Sequence, residues 1–279
     1  MLRKRPVRLA EPGETITNER EQRFPLVAPP KFFKALLVHN GEYIRRIKNM
    51  KNHKRAILGM VAAVLLALPC MPAFALPKAY FRGDEEKQRI AITMDDCWKM
   101  DYVVQMLDIC AEYDFQMTFF PCGVNIREEQ RDIWLRMLNE GHEIGNHTHN
   151  HRKLTNLTAT RTREELRFMK ERLNRVLGYE YDMQLMRPPY GAFGGGTGTR
   201  TARIIESQGY PYIIMWSLSQ TDPNKMLKTV KNGDILLYHS NKKDVEGLRK
   251  AIPVLLEQGF ELVTVSELLE LIPMEEEAS

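Results

Sequence analysis

From residue 89 onward, short apolar runs alternate with longer amphipathic stretches. The runs cover residues 90–94, 116–120, 143–145, 184–186, 212–215, 234–237 and 261–263, and each is short enough for a buried strand. Between them the spacing predicts helices over 101–113, 127–140, 159–177, 198–208, 244–257 and 265–271. The stretch 160–177 is the clearest, with Leu166, Met169, Leu173 and Val176 at helical spacing and charges elsewhere. Gly141, Gly178, Gly209 and Gly259 stand where helices stop before the next strand. Repeated strand–helix units in one domain predict an α/β fold with a parallel sheet or a barrel.

The N-terminal part reads differently. Residues 56–77 carry no charge, residues 45–55 are strongly basic, and Ala73-Phe74-Ala75 offers a small-x-small site. A basic region, an apolar core and such a site make a secretory signal over 56–75, cleaved after Ala75 or retained as an anchor. The uninterrupted apolar run, 56–68, is shorter than the roughly 20 residues a spanning helix wants, which favours cleavage. Residues 1–55 form a basic segment, either a cytoplasmic tail or an over-extended start, since Met50 would open a signal of ordinary length. Residues 76–87 read as a linker, 88–272 as the folded domain, and 273–279 as an acidic tail.

Charge sharpens this division. Residues 1–55 hold 14 Lys/Arg against 5 Asp/Glu, so the formal net charge of +4 conceals a C-terminal part with a net of −5. A mildly acidic domain excludes nucleic acid as its main partner. A membrane partner enters only through an uncleaved N-terminal segment. Beyond that segment stand Cys97, Cys110 and Cys122, an odd count that is no disulfide framework.

Reactive residues fall where the runs end. Asp95 and Asp96 follow the first run, His147 and His151 the third, Arg187–Tyr190 the fourth, Trp216–Asp222 the fifth, and His239 the sixth. In a parallel α/β fold the carboxyl ends of the strands share one face, so five separate segments converge there. His147 and His151, at i and i+4, fall on one face of a helical turn and suit a single metal. A carboxylate completes a two-His, one-carboxylate set. Alternation at the strand end sends one aspartate to the metal and the other toward its water. His239 suits an acid for a leaving nitrogen. The two prolines of Arg187-Pro188-Pro189-Tyr190 stiffen a segment that presents Arg187 and the Tyr190 N–H, a donor to a developing oxyanion. His149 should point away from the metal.

Taken in order, these segments resemble the polysaccharide deacetylase family, the NodB-homology domain of carbohydrate esterase family four. The resemblance rests on Thr93-Met94-Asp95-Asp96-Cys97, His147-Thr148-His149-Asn150-His151, Arg187-Pro188-Pro189-Tyr190 and Leu237-Tyr238-His239. It implies a distorted (β/α) barrel of about seven parallel strands, spanning roughly 88–272. It implies hydrolysis of N-acetyl groups on a glycan, with peptidoglycan GlcNAc or MurNAc, chitin oligomers or an exopolysaccharide as substrate. It implies one divalent metal ion, zinc or else cobalt or another, held by Asp96, His147 and His151. Asp95 becomes the catalytic base, His239 the acid, and Arg187 a further catalytic residue. Tyr190, Pro188 and Trp216 border the substrate, and Trp98 is a further aromatic candidate. Two other functions stay open: hydrolysis of a small amide, and carbohydrate binding without turnover.

The sequence departs from the family pattern in three places. Cys97 replaces the glycine after the aspartate pair. Ser219 replaces an acidic residue that in the family pairs with the arginine, so Arg187 is expected to be looser, with Asp222 as a partial substitute. The stretch Gly194-Gly195-Gly196-Thr197-Gly198 is a flexible neighbour of the site. Cys97 and Cys122 would end adjacent strands, where they could form a rim disulfide or Cys97 could sit beside the metal.

Overall fold

The structure is a computed structural model and describes residues 76–271. The signal or anchor segment 56–75, the basic segment 1–55 and the tail 273–279 lie outside the described residues. Among the described residues, no helix is long and apolar enough to cross a membrane.

The described residues form eight strands: β1 (Lys78–Tyr80), β2 (Arg89–Asp96), β3 (Thr118–Pro121), β4 (Glu143–Ile144), β5 (Leu185–Met186), β6 (Tyr212–Ile214), β7 (Ile235–His239) and β8 (Glu261–Val263). Every ladder between them is parallel. The helices are α1 (Met100–Tyr113), α2 (Arg131–Asn139), α3 (Ala159–Leu177), α4 (Arg200–Ser207), α5 (Pro223–Thr229), α6 (Lys242–Glu257) and α7 (Val265–Leu268).

The strands form two sheets, not one closed barrel. One runs β4-β3-β2-β7 with β8 also on β2, and the other runs β1-β6-β5. Among the described residues their edges are linked by isolated bridges, Arg82 to Asp234, Asn146 to Met186 and Leu218 to Leu236. The barrel expectation is corrected on this point. Strands of two or three residues end before a continuous ladder can form across both seams.

The central strand β2 is buried over seven of its eight residues, as a strand covered on both faces must be. Ala91 pairs with Ile235 on one side and Val263 on the other, while Thr93 pairs with Leu237 and Thr118. Strands β8 and β3 therefore share one side of β2, one at its start and one at its end. This register sets Asp95 opposite His239 and Phe120 at the rim where the carboxyl ends meet.

The longest helix, α3, follows its sequence closely. Thr158 caps it by accepting from the Arg161 N–H, Gly178 ends it in the left-handed region, and Leu166, Met169, Leu173 and Val176 are buried. Two elements differ from expectation. Lys78–Tyr80, inside the stretch read as a linker, pairs with β6 as strand β1. Helix α5 lies where no helix was expected, with Asp222 as N-cap and Pro223 at its first turn.

Candidate active site

Asp95 and Asp96 close β2, both almost wholly buried. Ordinary strand alternation would send them to opposite faces. Asp96 instead adopts a φ of 65°, and the two carboxylates converge on one imidazole. His147 Nε2 lies 3.5 Å from Asp96 Oδ1 and 3.8 Å from Asp95 Oδ2. His151 Nε2 lies 3.3 Å from the same Asp96 Oδ1.

The two histidines do not meet on a helical turn, which corrects that expectation. They sit on an irregular loop, with Thr148 and His151 at positive φ and ring centroids 5.0 Å apart. Buried Asn146 braces this loop: its Oδ1 accepts from the Thr148 N–H, and its Nδ2 donates to Leu166 O and to Tyr210 Oη. Glu165 on α3 accepts from both the backbone and side chain of Asn150. His149 points away, as expected, and packs edge-on to Phe168. It packs over Gly123, where a Cβ would come within 2.3 Å of its ring nitrogen.

The donor set fits a cation. His147 Nδ1 lies 2.7 Å from the Arg187 carbonyl, which only accepts, so Nδ1 carries the proton. Burial drives the His147 pKa down despite Asp95 and Asp96, so the ring is neutral and Nε2 presents a lone pair. A lone pair facing two carboxylates is repulsive unless a positive ion lies between them. Asp96, His147 and His151 supply the borderline and hard donors that a divalent ion such as zinc takes.

Arg187 is fully buried and is not loose. Its Nη1 donates to Asp95 Oδ1 at 2.8 Å and to Thr93 Oγ1 at 2.6 Å. Its Nε and Nη2 donate to the carbonyls of Ile214 and Met215, and its guanidinium lies 4.3 Å from the Phe120 ring centroid. Backbone carbonyls and an aromatic face do the holding, so the acidic residue absent at Ser219 is not needed. Ser219 is exposed, and Asp222 is committed to its helix cap.

His239 lies with Nε2 3.9 Å from Asp96 Oδ2. Its partner Asp244 was not foreseen. The Asp244 carboxylate accepts from the His239 backbone N–H at 2.8 Å and stands 3.8 Å from Nδ1. That carboxylate, helped by Asp95 and Asp96, raises the His239 pKa above the ordinary imidazole value against the effect of burial. The sequence signal was the cap pattern Asn241-x-x-Asp244 opening α6 directly after β7.

Two exposed aromatic rings flank these groups. Trp98, 48% exposed, stacks on His239 with centroids 5.5 Å apart. Tyr190, 67% exposed, meets the His151 ring at 4.7 Å. Pro188 is buried, and Trp216 is partly buried beneath the turn, close to Gly191. Among the described residues seven non-glycine positions have positive φ, and Asp96, Cys97, Thr148, His151 and Tyr190 are five of them. Backbone strain is thus gathered at this one place. Cys97 and Cys122 are both free and buried, so no rim disulfide forms.

A sequence profile described as polysaccharide deacetylase matches residues 82–213. A peptidoglycan-N-acetylglucosamine deacetylase of Bacillus cereus is 34% identical over 198 residues, covering 64% of this chain and 87% of that one. A solved family 4 carbohydrate esterase from Bacillus anthracis is 34% identical, with a TM-score of 0.58 over 68% of this chain and 86% of its own. A family 4 pseudoenzyme from Bacillus anthracis shares the fold at 23% identity, with a TM-score of 0.61 over 69% of each chain. Sequence profile, close relative and fold together place this chain in the polysaccharide deacetylase family, carbohydrate esterase family four.

Proposed function

We propose that the chain is an extracytoplasmic, metal-dependent hydrolase that removes N-acetyl groups from peptidoglycan GlcNAc or MurNAc. The observation that carries this reading is the convergence of Asp95, Asp96, His147, His151 and His239 around one open rim. The substrate class is supported by the Bacillus cereus relative, named for its action on peptidoglycan N-acetylglucosamine. The location is supported by the basic and apolar segments over 45–75, read as a secretory signal or anchor.

Asp96, His147 and His151 hold the divalent cation. When bound, that cation supplies Lewis acidity and lowers the pKa of a water toward ~7. Asp95, fixed by Arg187, takes a proton from the attacking water. The stiff Pro188-Pro189 segment presents the Tyr190 N–H to the oxyanion that develops on the acetyl carbonyl. His239, with its proton favoured by Asp244, donates to the departing amine. The C–N bond breaks, and the products are a free amino sugar and acetate. Trp98 and Tyr190 offer aromatic faces to the sugar rings on either side.

The test is acetate release by the zinc- or cobalt-loaded full chain from peptidoglycan and from chitin oligomers. Release from peptidoglycan supports the reading. Release from chitin alone moves the substrate to a GlcNAc polymer. No release from either, with metal bound, points to carbohydrate binding without turnover or to a small amide.

A further inference from the structure

The buried thiol of Cys122 belongs to neither apolar core cluster, whereas Cys97 and Cys110 both do. Its surroundings are a carboxylate and an imidazole loop. Strand β3 ends at Pro121, which pairs with Asp96, and the Cys122 N–H donates to Asp96 O at 3.2 Å. The side chain is thereby carried to the floor of the site. Cys122 Sγ lies 3.4 Å from Asp96 Oδ1 and 3.6 Å from His147 O. Donor atoms of Asp96, Cys122 and His147 all lie within 4.8 Å of one another, and all three residues are buried.

We propose that Cys122 is a further protein donor to the cation of this site, binding as a thiolate beside Asp96, His147 and His151. This rests on the reading that the site holds a divalent ion. From Asp96 Oδ1 the other three donors lie at 3.3 Å (His151), 3.4 Å (Cys122) and 3.5 Å (His147). Donor–donor edges around a five-coordinate ion with bonds of 2.0–2.3 Å are about 2.8–4.0 Å, and the fifth position stays with the water. Measured from Asp96 Oδ1, the thiol stands as near as the two imidazoles, and the mutually close donors are Asp96, Cys122 and His147, with His151 reaching the group through Asp96. The thiol is free of any disulfide.

Without a cation the S–H donates a hydrogen bond to Asp96 Oδ1. On metal binding the S–H bond breaks, its proton leaves to solvent past the one-third-exposed His151, and a sulfur–metal bond forms. No oxidation state changes. The consequence is metal choice: a soft thiolate favours zinc or cobalt over manganese and magnesium.

The experiment is cobalt titration of the metal-stripped full chain, followed by ultraviolet and visible absorption. The expected result is one cobalt per chain, with visible ligand-field bands and a near-ultraviolet sulfur-to-cobalt charge-transfer band. Cys122→Ser should bind cobalt with that band lost and with its preference for zinc over manganese reduced at least ~10-fold. Cys97→Ser should keep the band. X-ray absorption at the zinc edge of the unmutated chain, which needs no variant, should show one sulfur at ~2.3 Å. Stoichiometric metal with neither the band nor the sulfur scatterer overturns the proposal and leaves the metal reading intact, as does a band that survives Cys122→Ser. Failure to bind cobalt or zinc at all overturns both.

Discussion

Arg187 Nη1 stands 2.8 Å from Asp95 Oδ1, and both side chains are buried. Around them runs a chain of hydrogen bonds: Arg187 Nη1 donates to Thr93 Oγ1, and Thr93 Oγ1 donates to Leu236 O on β7. The catalytic strand, its neighbour and the Arg187-Pro188 segment are thus tied through one guanidinium. Removing that group leaves a buried carboxylate without its counter-charge and the Ile214 and Met215 carbonyls without their donor. Arg187→Met should cost about 3–5 kcal/mol in urea unfolding. Arg187→Lys should also be impaired, because an ammonium cannot span four acceptors in a plane. Both variants should lose at least ~100-fold in acetate release.

Asp244 contacts His239 at its backbone N–H and on the Nδ1 side of its ring, so in the proposed mechanism it is a positioning residue. Asp244→Asn keeps an acceptor for the His239 backbone N–H but removes the charge beside Nδ1. The expected outcome is kcat lowered at least ~10-fold, with KM and metal content little changed. An unchanged kcat would separate His239 from proton donation.

Tyr190 combines an exposed ring with a φ of 60°. Glycine accepts that backbone without strain, and little buried surface is lost with the ring. Tyr190→Gly should raise stability by about 1 kcal/mol while raising KM for oligosaccharides. Thermal unfolding and steady-state kinetics on one preparation check both halves.

His142 links the fold to pH at a distance from the chemistry. Its Nδ1 accepts from the Met117 N–H, and burial pushes its pKa from the ordinary 6.5 down to about 4. The unfolded chain therefore binds a proton that the folded chain refuses between these values. Stability from this residue is complete above pH 6.5 and declines as pH falls toward 4, by about 3 kcal/mol in all. His142→Asn, which retains an acceptor, should flatten that part of the stability–pH curve by close to one proton.

Much of this was legible in the sequence because burial and period carry it. The apolar run at 90–94 grew into β2, and Leu166, Met169, Leu173 and Val176 marked the buried face of α3. The strand-end positions of Asp95, Asp96, His147, His151, Arg187 and His239 placed them on one rim, since parallel strands share a carboxyl end. What escaped depends on contacts between distant segments or on local backbone choices. The His147–His151 approach needs positive φ at Thr148 and His151, a strain that spacing does not reveal. Arg187 was expected to be loose without an acid at 219, but Asp95, Thr93, two backbone carbonyls and the Phe120 ring hold it. Asp222-Pro223 carried a helix-start signal that the motif reading overrode. Cys122 read as a small buried residue, and only the Asp96–Pro121 register brings its sulfur to the acid.

The central claim is that Asp95 takes a proton from water beside a cation held by Asp96, His147 and His151. The most direct measurement is acetate release from peptidoglycan by the zinc-loaded chain, with bound zinc determined on the same samples of the unmutated protein, Asp95→Asn and His151→Ala. The account predicts release by the unmutated chain, at least ~100-fold loss in Asp95→Asn with zinc retained, and loss of both zinc and activity in His151→Ala. Undiminished release by Asp95→Asn, or by His151→Ala stripped of zinc, would contradict it.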